Sequence, residues 1–411
     1  TDNDVAGVIV NPLSGLYTTE TGGTAKFFVR LSSQPLADVI ITVSSSNALE
    51  GVPSPAVLTF SADNWDVLQE VTVTGQNDDF DDDDVAYSIV KQSVVSTDPL
   101  YSDIALLSVS LINRDDDNAG YIFSATEVSY LESDAPVSIL VSLRSRPTSD
   151  VQIDLVSENT SKGTVSPGSI TFAPALWNVP QEITITPVDN SIMDGDAMFS
   201  ITTSIPTTTD GKYSSLNPPD ISVTALDNDV AGIAVSAISG NTREDGTAAT
   251  FTVVLTSQPT SDVTIALSSS NTDEGTVLPA SLVFIPSEWN TPQTVTVTGV
   301  DDLLADGNQT YSIVLSPAVS SDPNYSGKDP DDVTVINVDL DQAGLNIFPV
   351  AGLETNEAGK TVTFTISLNT IPASDVKVNF VSSDPGEGSV SPASFTFNSS
   401  NWNSNQTITL T

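Results

Sequence analysis

The sequence predicts an all-β protein, a tandem array of immunoglobulin-like sandwiches of about seven strands each. Three observations carry that prediction. A glycine recurs as Gly7, Gly120, Gly232 and Gly344, at spacings of 113, 112 and 112, and the only four tryptophans, Trp65, Trp177, Trp289 and Trp402, follow at 112, 112 and 113. Two independent markers on one domain-sized period define a repeat. Stretches such as TAKFFVRLS at 24–32 alternate apolar and polar residues with period two, the mark of a half-buried strand. No segment sustains a helical period.

The first element of the pattern is a long strand in each repeat. Ala25, Phe27, Val29 and Leu31 share one face, as do Val137, Ile139, Val141 and Leu143; Ala249, Phe251, Val253 and Leu255; and Val362, Phe364, Ile366 and Leu368. In the third repeat the alternation predicts seven strands, near 231–236, 247–256, 262–269, 281–285, 293–299, 309–315 and 332–338. Turn-forming clusters separate them, among them SQPTSD at 257–262 and SSDPNYSG at 320–327. Such a series suits a sandwich whose two sheets bury their apolar faces against each other. The repeats are expected at 1–117, 118–229, 230–341 and 342–411. Residues 1–7 read as a linker closing a preceding repeat, and the fourth repeat stops at TITLT before its last two strands. The chain is therefore expected to be a window on a longer array, unless another chain supplies those strands.

Composition narrows the function. Among 411 residues, 53 are acidic and 12 basic, a formal net charge of −41. That balance repels nucleic acid and anionic lipid. Disorder is excluded because 39% of residues are hydrophobic and they are patterned. Cysteine and histidine are absent, which removes disulfides, thiolate or imidazole metal sites and Ser-His-Asp triads. No apolar run reaches the roughly 20 residues that span a bilayer.

The acidic residues are not scattered. Related linkers read TDNDVAG at 1–7, NRDDDNAG at 113–120, ALDNDVAG at 225–232 and VDLDQAG at 338–344. Glu20, Glu132, Glu244 and Glu357 precede the second strand, while Glu50, Glu274 and Glu387 sit in a later turn. Strand reversals bring these turns, the acidic loop after VTVTG and the linker to one tip of each sandwich. In the third repeat that tip collects Glu244, Glu274, Asp301, Asp302, Asp306, Asp339 and Asp341. An oxygen-only set of this kind suits a hard cation, and Ca²⁺ takes about 6–8 oxygens. Two carboxylates ~5 Å apart repel by roughly 0.8 kcal/mol even in water, so a bound cation would reverse a sizeable penalty. The run Asp81 to Asp84, taken alone, reads as a solvated face.

These strings resemble the Calx-β domain of sodium/calcium exchangers and of large bacterial surface proteins. The resemblance rests on TGVDDLLADGN at 298–308 and ALDNDVAG at 225–232, and it covers three full repeats and the available part of the fourth. It implies Ca²⁺ ligation by Glu20, Glu50, Asp78, Asp79, Asp115, Asp116 and Asp117 in the first repeat. The second repeat departs from the pattern, with Lys162 in place of the turn glutamate and Asn190 in place of one aspartate. Its set of Glu132, Asp189, Asp194, Asp227 and Asp229 carries less charge and is expected to hold fewer ions or none.

Bland readings compete for the remaining features. The aspartates of the Pro-x-x-Asp-Val turns, Asp38, Asp150, Asp262 and Asp375, are expected at the opposite tip as turn formers. The tryptophans are expected to plug core ends rather than stack sugars, and Tyr101, Tyr213 and Tyr325 to pack or cap. Carboxylate pairs copied into every repeat argue against an enzyme. The expected function is a calcium-stiffened extracellular or cell-surface structural or adhesive array, of bacterial type, with Ca²⁺ at the inter-domain junctions. Its partners are calcium, neighbouring repeats and, in addition, other copies or surface glycans and proteins. The alternatives are a carbohydrate- or protein-binding module array and a fibre subunit that assembles by strand donation or sheet contacts.

Overall fold

The computed structural model describes residues 4–102, 104–105 and 107–411; Thr1, Asp2 and Asn3 of the opening linker lie outside the described residues. The described chain is β throughout and contains no α-helix. It forms two compact units, residues 1–189 with 196–226 and residues 190–195 with 227–411. Each unit carries two separate apolar cores.

The first sandwich sets the pattern. Its strands are β1 (Val8–Asn11), β2 (Leu16–Thr19), β3 (Thr24–Leu31), β4 (Val39–Ser45), β5 (Gly51–Ser54), β6 (Val57–Phe60), β7 (Gln69–Gly75), β8 (Val85–Val95) and β9 (Val109–Arg114). One sheet runs β1-β3-β7-β5 and the other β2-β9-β8-β4-β6. Neighbours are antiparallel except β2, which lies parallel to β9. The predicted single opening strand is thus two, one in each sheet. Pro12 has no N–H to continue a ladder, and Gly15 takes a φ of 76°, so the chain crosses between sheets there. β5 was not predicted either, because its Gly-Val-Pro-Ser sequence carries a turn signal rather than an apolar run. Nine strands therefore replace the expected seven.

Burial follows the alternation. β3 buries Ala25, Phe27, Val29 and Leu31 against Ile41, Leu58 and Phe60 of the facing sheet. The second and third sandwiches repeat the strand order, with one extra short strand, Val319–Ser320, in the third. The fourth has a four-stranded sheet and a two-stranded one, Val376–Asn379 with Ser394–Phe397. Each fully buried phenylalanine removes apolar area from water, and truncating one to alanine costs about 3–5 kcal/mol in such cores.

The tryptophans stand half-buried against their cores, and their carbonyls accept the N–H of Leu31, Leu143, Leu255 and Leu368 at 2.8, 3.0, 3.3 and 2.8 Å. At the same end Tyr101, Tyr213 and Tyr325 are fully enclosed, each phenol donating to the carbonyl of Ser33, Ser145 or Ser257 at 2.6–2.7 Å. The Pro-x-x-Asp-Val turns are shaped by other carboxylates than expected. Leu36, Thr148 and Thr260 donate their N–H groups to Asp98, Asp210 and Asp322, all of them buried. Asp38 and Asp262 face solvent instead. The residues of the long last loop, not those of the turn itself, are in reach of the turn's N–H groups.

Burial pushes the Asp322 carboxyl up, but the N–H donors of Thr260 and Asn324 outweigh it and hold it below its ordinary range. A depressed folded pKa contributes stability above the ordinary carboxylate range and loses it as pH falls through the folded value. Asp322→Ala is expected to cost about 2 kcal/mol by leaving buried N–H groups unpaired, and Asp262→Ala less than about 0.5 kcal/mol. Urea unfolding of the two variants at neutral pH checks the contrast.

Candidate metal centres

In the first sandwich β2, β7 and β9 end side by side where β5 begins. Glu20 follows β2 and donates its N–H to the carbonyl of Arg114 at 3.1 Å. Asp115 and Asp117 follow β9, and Asp117 donates its N–H to Asp115 Oδ1 at 2.7 Å. One carboxylate oxygen from each of Glu20, Asp115 and Asp117 lies within 4.8 Å of the others. A second triad, Glu50, Asp78 and Asp82, meets the same criterion between the β4–β5 turn and the loop after β7. Asp115 ties the two together, since its Oδ2 accepts the N–H of Asp82 at 3.1 Å and of Asp83 at 2.9 Å.

The third sandwich reproduces both groups 224 residues later, as Glu244, Asp339, Asp341 and Glu274, Asp302, Asp306. Its bonds match as well. Asp341 donates its N–H to Asp339 Oδ1 at 2.7 Å, and Gly307 to Asp339 Oδ2 at 2.6 Å.

A buried amide positions the turn glutamates. Asn113 donates to Glu50 Oε2 at 3.2 Å and to the Gln76 carbonyl at 3.0 Å, while its Oδ1 accepts from Thr18 Oγ1 at 2.8 Å. Asn337 does the same with Glu274, Val300 and Thr242. Gly51 and Gly275 complete the arrangement, because a Cβ at either would collide with the phenol of Tyr87 or Tyr311. The signal for these asparagines was in the sequence: a polar residue stands at an inward position of an otherwise apolar strand, after Val109 and Leu111 or Val333 and Val335.

The second repeat exchanges this whole assembly. Tyr130, Ala225, Phe199 and Lys162 stand where Thr18, Asn113, Tyr87 and Glu50 stand in the first. The Lys162 ammonium pairs with Glu132 Oε2 at 3.0 Å, both side chains buried, and Tyr130 donates to the Lys162 carbonyl. Asp189 is exposed after its strand in the first unit. In the second unit Asp227 accepts the N–H groups of Gly195 and Asp229 at 2.6 and 2.8 Å, and Asp194 is exposed.

Three further residues of the expected sets, Asp79, Asp116 and Asp301, are exposed and stand outside the triads. Asp82 is exposed, as expected of the run Asp81 to Asp84, and it also belongs to a triad. Aligning Gly75 and Tyr87 on Gly299 and Tyr311 sets Asp82 on Asp306 and Asp78 on Asp302, so the adjacent pairs Asp78-Asp79 and Asp301-Asp302 are out of register by one residue. In the fourth repeat Glu357 and Glu387 are exposed.

Crowding perturbs these carboxyls. Glu20 is pushed up to about 7, chiefly by burial and then by the charges of Asp78 and Asp115. Asp82 rises to about 6 through burial, Glu50 and Asp78, and Asp117 to about 6 through burial, Asp115 and Asp116. Glu244 and Asp341 are raised as well, by burial first. Glu20 Oε2 and Asp341 Oδ2 are buried and accept no hydrogen bond. Buried anionic oxygens without donors, in sets made of oxygen alone, fit a hard divalent ion such as Ca²⁺.

Fold and site together define a class: tandem β-sandwiches that gather carboxylates at one end. The Calx-beta domain model matches residues 115–229 and 227–341, more than half of the chain, and the chain belongs to that family. Among solved structures it is similar to the calcium binding domain CBD12 of CALX1.1, at 12% identity and a TM-score of 0.30, over 53% of this chain and 99% of that one. CBD12 from CALX1.2 matches at 15% identity and a TM-score of 0.25, over 50% and 84%. Domains 4 and 5 of the S-layer protein SbsC match at 18% and 0.21, over 46% and 75%. No curated protein matches the sequence.

The raised carboxyls dictate an unusual pH response without metal. A folded pKa above the unfolded one means the folded state holds more protons between the two values. The burden is then fully present above about pH 7 and relieved as pH falls toward the ordinary carboxylate range. The chain in chelator is expected to melt higher at pH 5 than at pH 7.5, by calorimetry, and calcium at pH 7.5 should remove the difference.

Proposed function

We propose that the chain is a calcium-stiffened structural or adhesive array outside the cell, with repeats at 1–117, 118–229, 230–341 and 342–411. The observation that carries the reading is the recurrence of two carboxylate triads, 224 residues apart, with a buried donorless oxygen in each sandwich. Bound calcium would supply positive charge that these side chains lack. Glu20, Asp115 and Asp117 would hold one ion and Glu50, Asp78 and Asp82 another, with Glu244, Asp339, Asp341 and Glu274, Asp302, Asp306 as their counterparts.

The residues themselves explain why binding would stiffen the chain. Asp115 and Asp339 belong to the linker after the last strand, and each also accepts N–H groups of the loop after the seventh strand. Glu20 and Glu244 come from a third segment. Closing the Glu20, Asp115, Asp117 triad or the Glu244, Asp339, Asp341 triad would therefore fix the linker to the body of its own sandwich. In the second repeat Glu132 already has the Lys162 ammonium beside it, so this repeat takes fewer ions. Sites built from surface loops in an extracellular module operate at about 10⁻⁴–10⁻³ M, which suits millimolar calcium outside cells. Copies of the same acids in the first and third sandwiches favour a scaffold over catalysis. The half-buried packing of Trp289 against its core favours it over sugar stacking.

Thermal unfolding of the intact chain tests the reading. At ten times its Kd, calcium should add about 1.4 kcal/mol for each filled site, raising Tm over that in chelator. Glu20→Gln and Glu244→Gln should each remove part of the gain, and Glu357→Gln none of it. Identical melting in chelator and calcium would overturn the proposal.

A further inference from the structure

The loop after the seventh strand also carries a contact that needs no metal. In the first unit the Asp79 carbonyl accepts the N–H of Arg146, the residue before the proline of the next sandwich's turn, at 2.6 Å. The Arg146 guanidinium lies 4.9 Å from the centre of the Phe80 ring. Asp81 Oδ2 accepts the N–H of Ala119 in the linker at 2.8 Å. Into this loop reaches Lys212 of the second sandwich, its ammonium 2.6 Å from Asp81 Oδ1 and 2.7 Å from Asp83 Oδ1.

The partners of this contact are matched across the repeats. Position 81 is aspartate in the first repeat only, with Met193 and Ala305 at the equivalent places. Position 212 is lysine in the second repeat only, with Leu100 and Asn324 at its equivalents. In the second unit Asn324 donates instead to the Met193 carbonyl at 2.7 Å, a neutral contact at the same place. Asp83 adds a second, independent mark. Its φ of 67° makes it the one non-glycine residue with positive φ among the described residues, where Gly195 and Gly307 take 83° and 81°. A side chain with a β carbon resists that conformation. Here it brings a carboxylate to Lys212 that glycine would not supply.

We propose that Lys212 is a built-in cation for the seam between the first and second sandwiches, fastening the acidic loop 78–84 to the second sandwich so that this seam stays ordered without any metal ion. The lysine stands beside the Glu50, Asp78 and Asp82 triad without entering it, since it pairs with the residues on either side of Asp82. Calcium and the ammonium would thus have separate tasks, one within the first sandwich and one across the seam. The ammonium is partly exposed, so its hold weakens in molar salt, where the Debye length is about 3 Å.

The test uses the intact chain in chelator, with nitroxide labels on Asp63→Cys and Glu158→Cys, in a protein that has no other cysteine. Pulsed electron–electron distance measurement should give one narrow distribution for the otherwise unchanged chain. Lys212→Ala should broaden it at least twofold, and Lys212→Arg should keep it narrow. Exchanging the charges, with Asp81→Lys and Lys212→Asp together, should restore part of the order lost in either single variant. Circular dichroism and Tm confirm that each sandwich is still folded. A distribution as broad without substitution as with Lys212→Ala, or as narrow with Lys212→Ala as without, would overturn the proposal. Neither result depends on whether calcium binds, so failure here is distinct from failure of the calcium reading.

Discussion

Like charges held together by the backbone are the constraint from which the rest follows. Each complete triad places carboxylate oxygens within 4.8 Å of one another at strand ends whose positions are fixed by sheet pairing. The chain has few cations to spare, 12 against 53 acids. Strand ladders and apolar cores must therefore hold these groups against their own repulsion, and Glu20, Asp82, Asp117, Glu244 and Asp341 respond by favouring their protons.

The two ends of a sandwich solve the same electrostatic problem in opposite ways. At the tyrosine end, Asp98, Asp210 and Asp322 are buried, yet backbone N–H groups point at them, so the charge is accommodated by the fold itself. At the triad end, N–H donors serve Asp115 and Asp339 but leave Glu20 Oε2 and Asp341 Oδ2 without one. The second repeat shows a third solution. There the turn glutamate becomes Lys162, and its buried ammonium answers Glu132 directly. Removing one partner of such a buried pair would cost about 3–5 kcal/mol.

Much of this was legible in the sequence. The 112-residue period follows from the recurring glycines and tryptophans, and the inward faces of the long strands and the convergence of Glu20 with Asp115 and of Glu244 with Asp339 follow from alternation and strand reversal. What escaped the reading depended on details that alternation does not encode. β5 looks like a turn because it contains a proline. Asp82 was hidden in a run of four aspartates, where only alignment on Gly75 and Tyr87 separates it from its neighbours. Asp98 and its equivalents act on turns some sixty residues earlier in sequence, a contact made by tertiary packing alone. Asn113 stands at an inward strand position, but its bond to Glu50 joins residues 63 apart in sequence, a pairing that alternation does not encode.

The central claim is that the triads exist to surround a divalent cation. Anomalous scattering from crystals of the intact chain grown in calcium tests it most directly. The account predicts peaks enclosed by Glu20, Asp115 and Asp117 and by Glu244, Asp339 and Asp341. A map with no peak at either place, and those carboxylates turned outward into water, would contradict it.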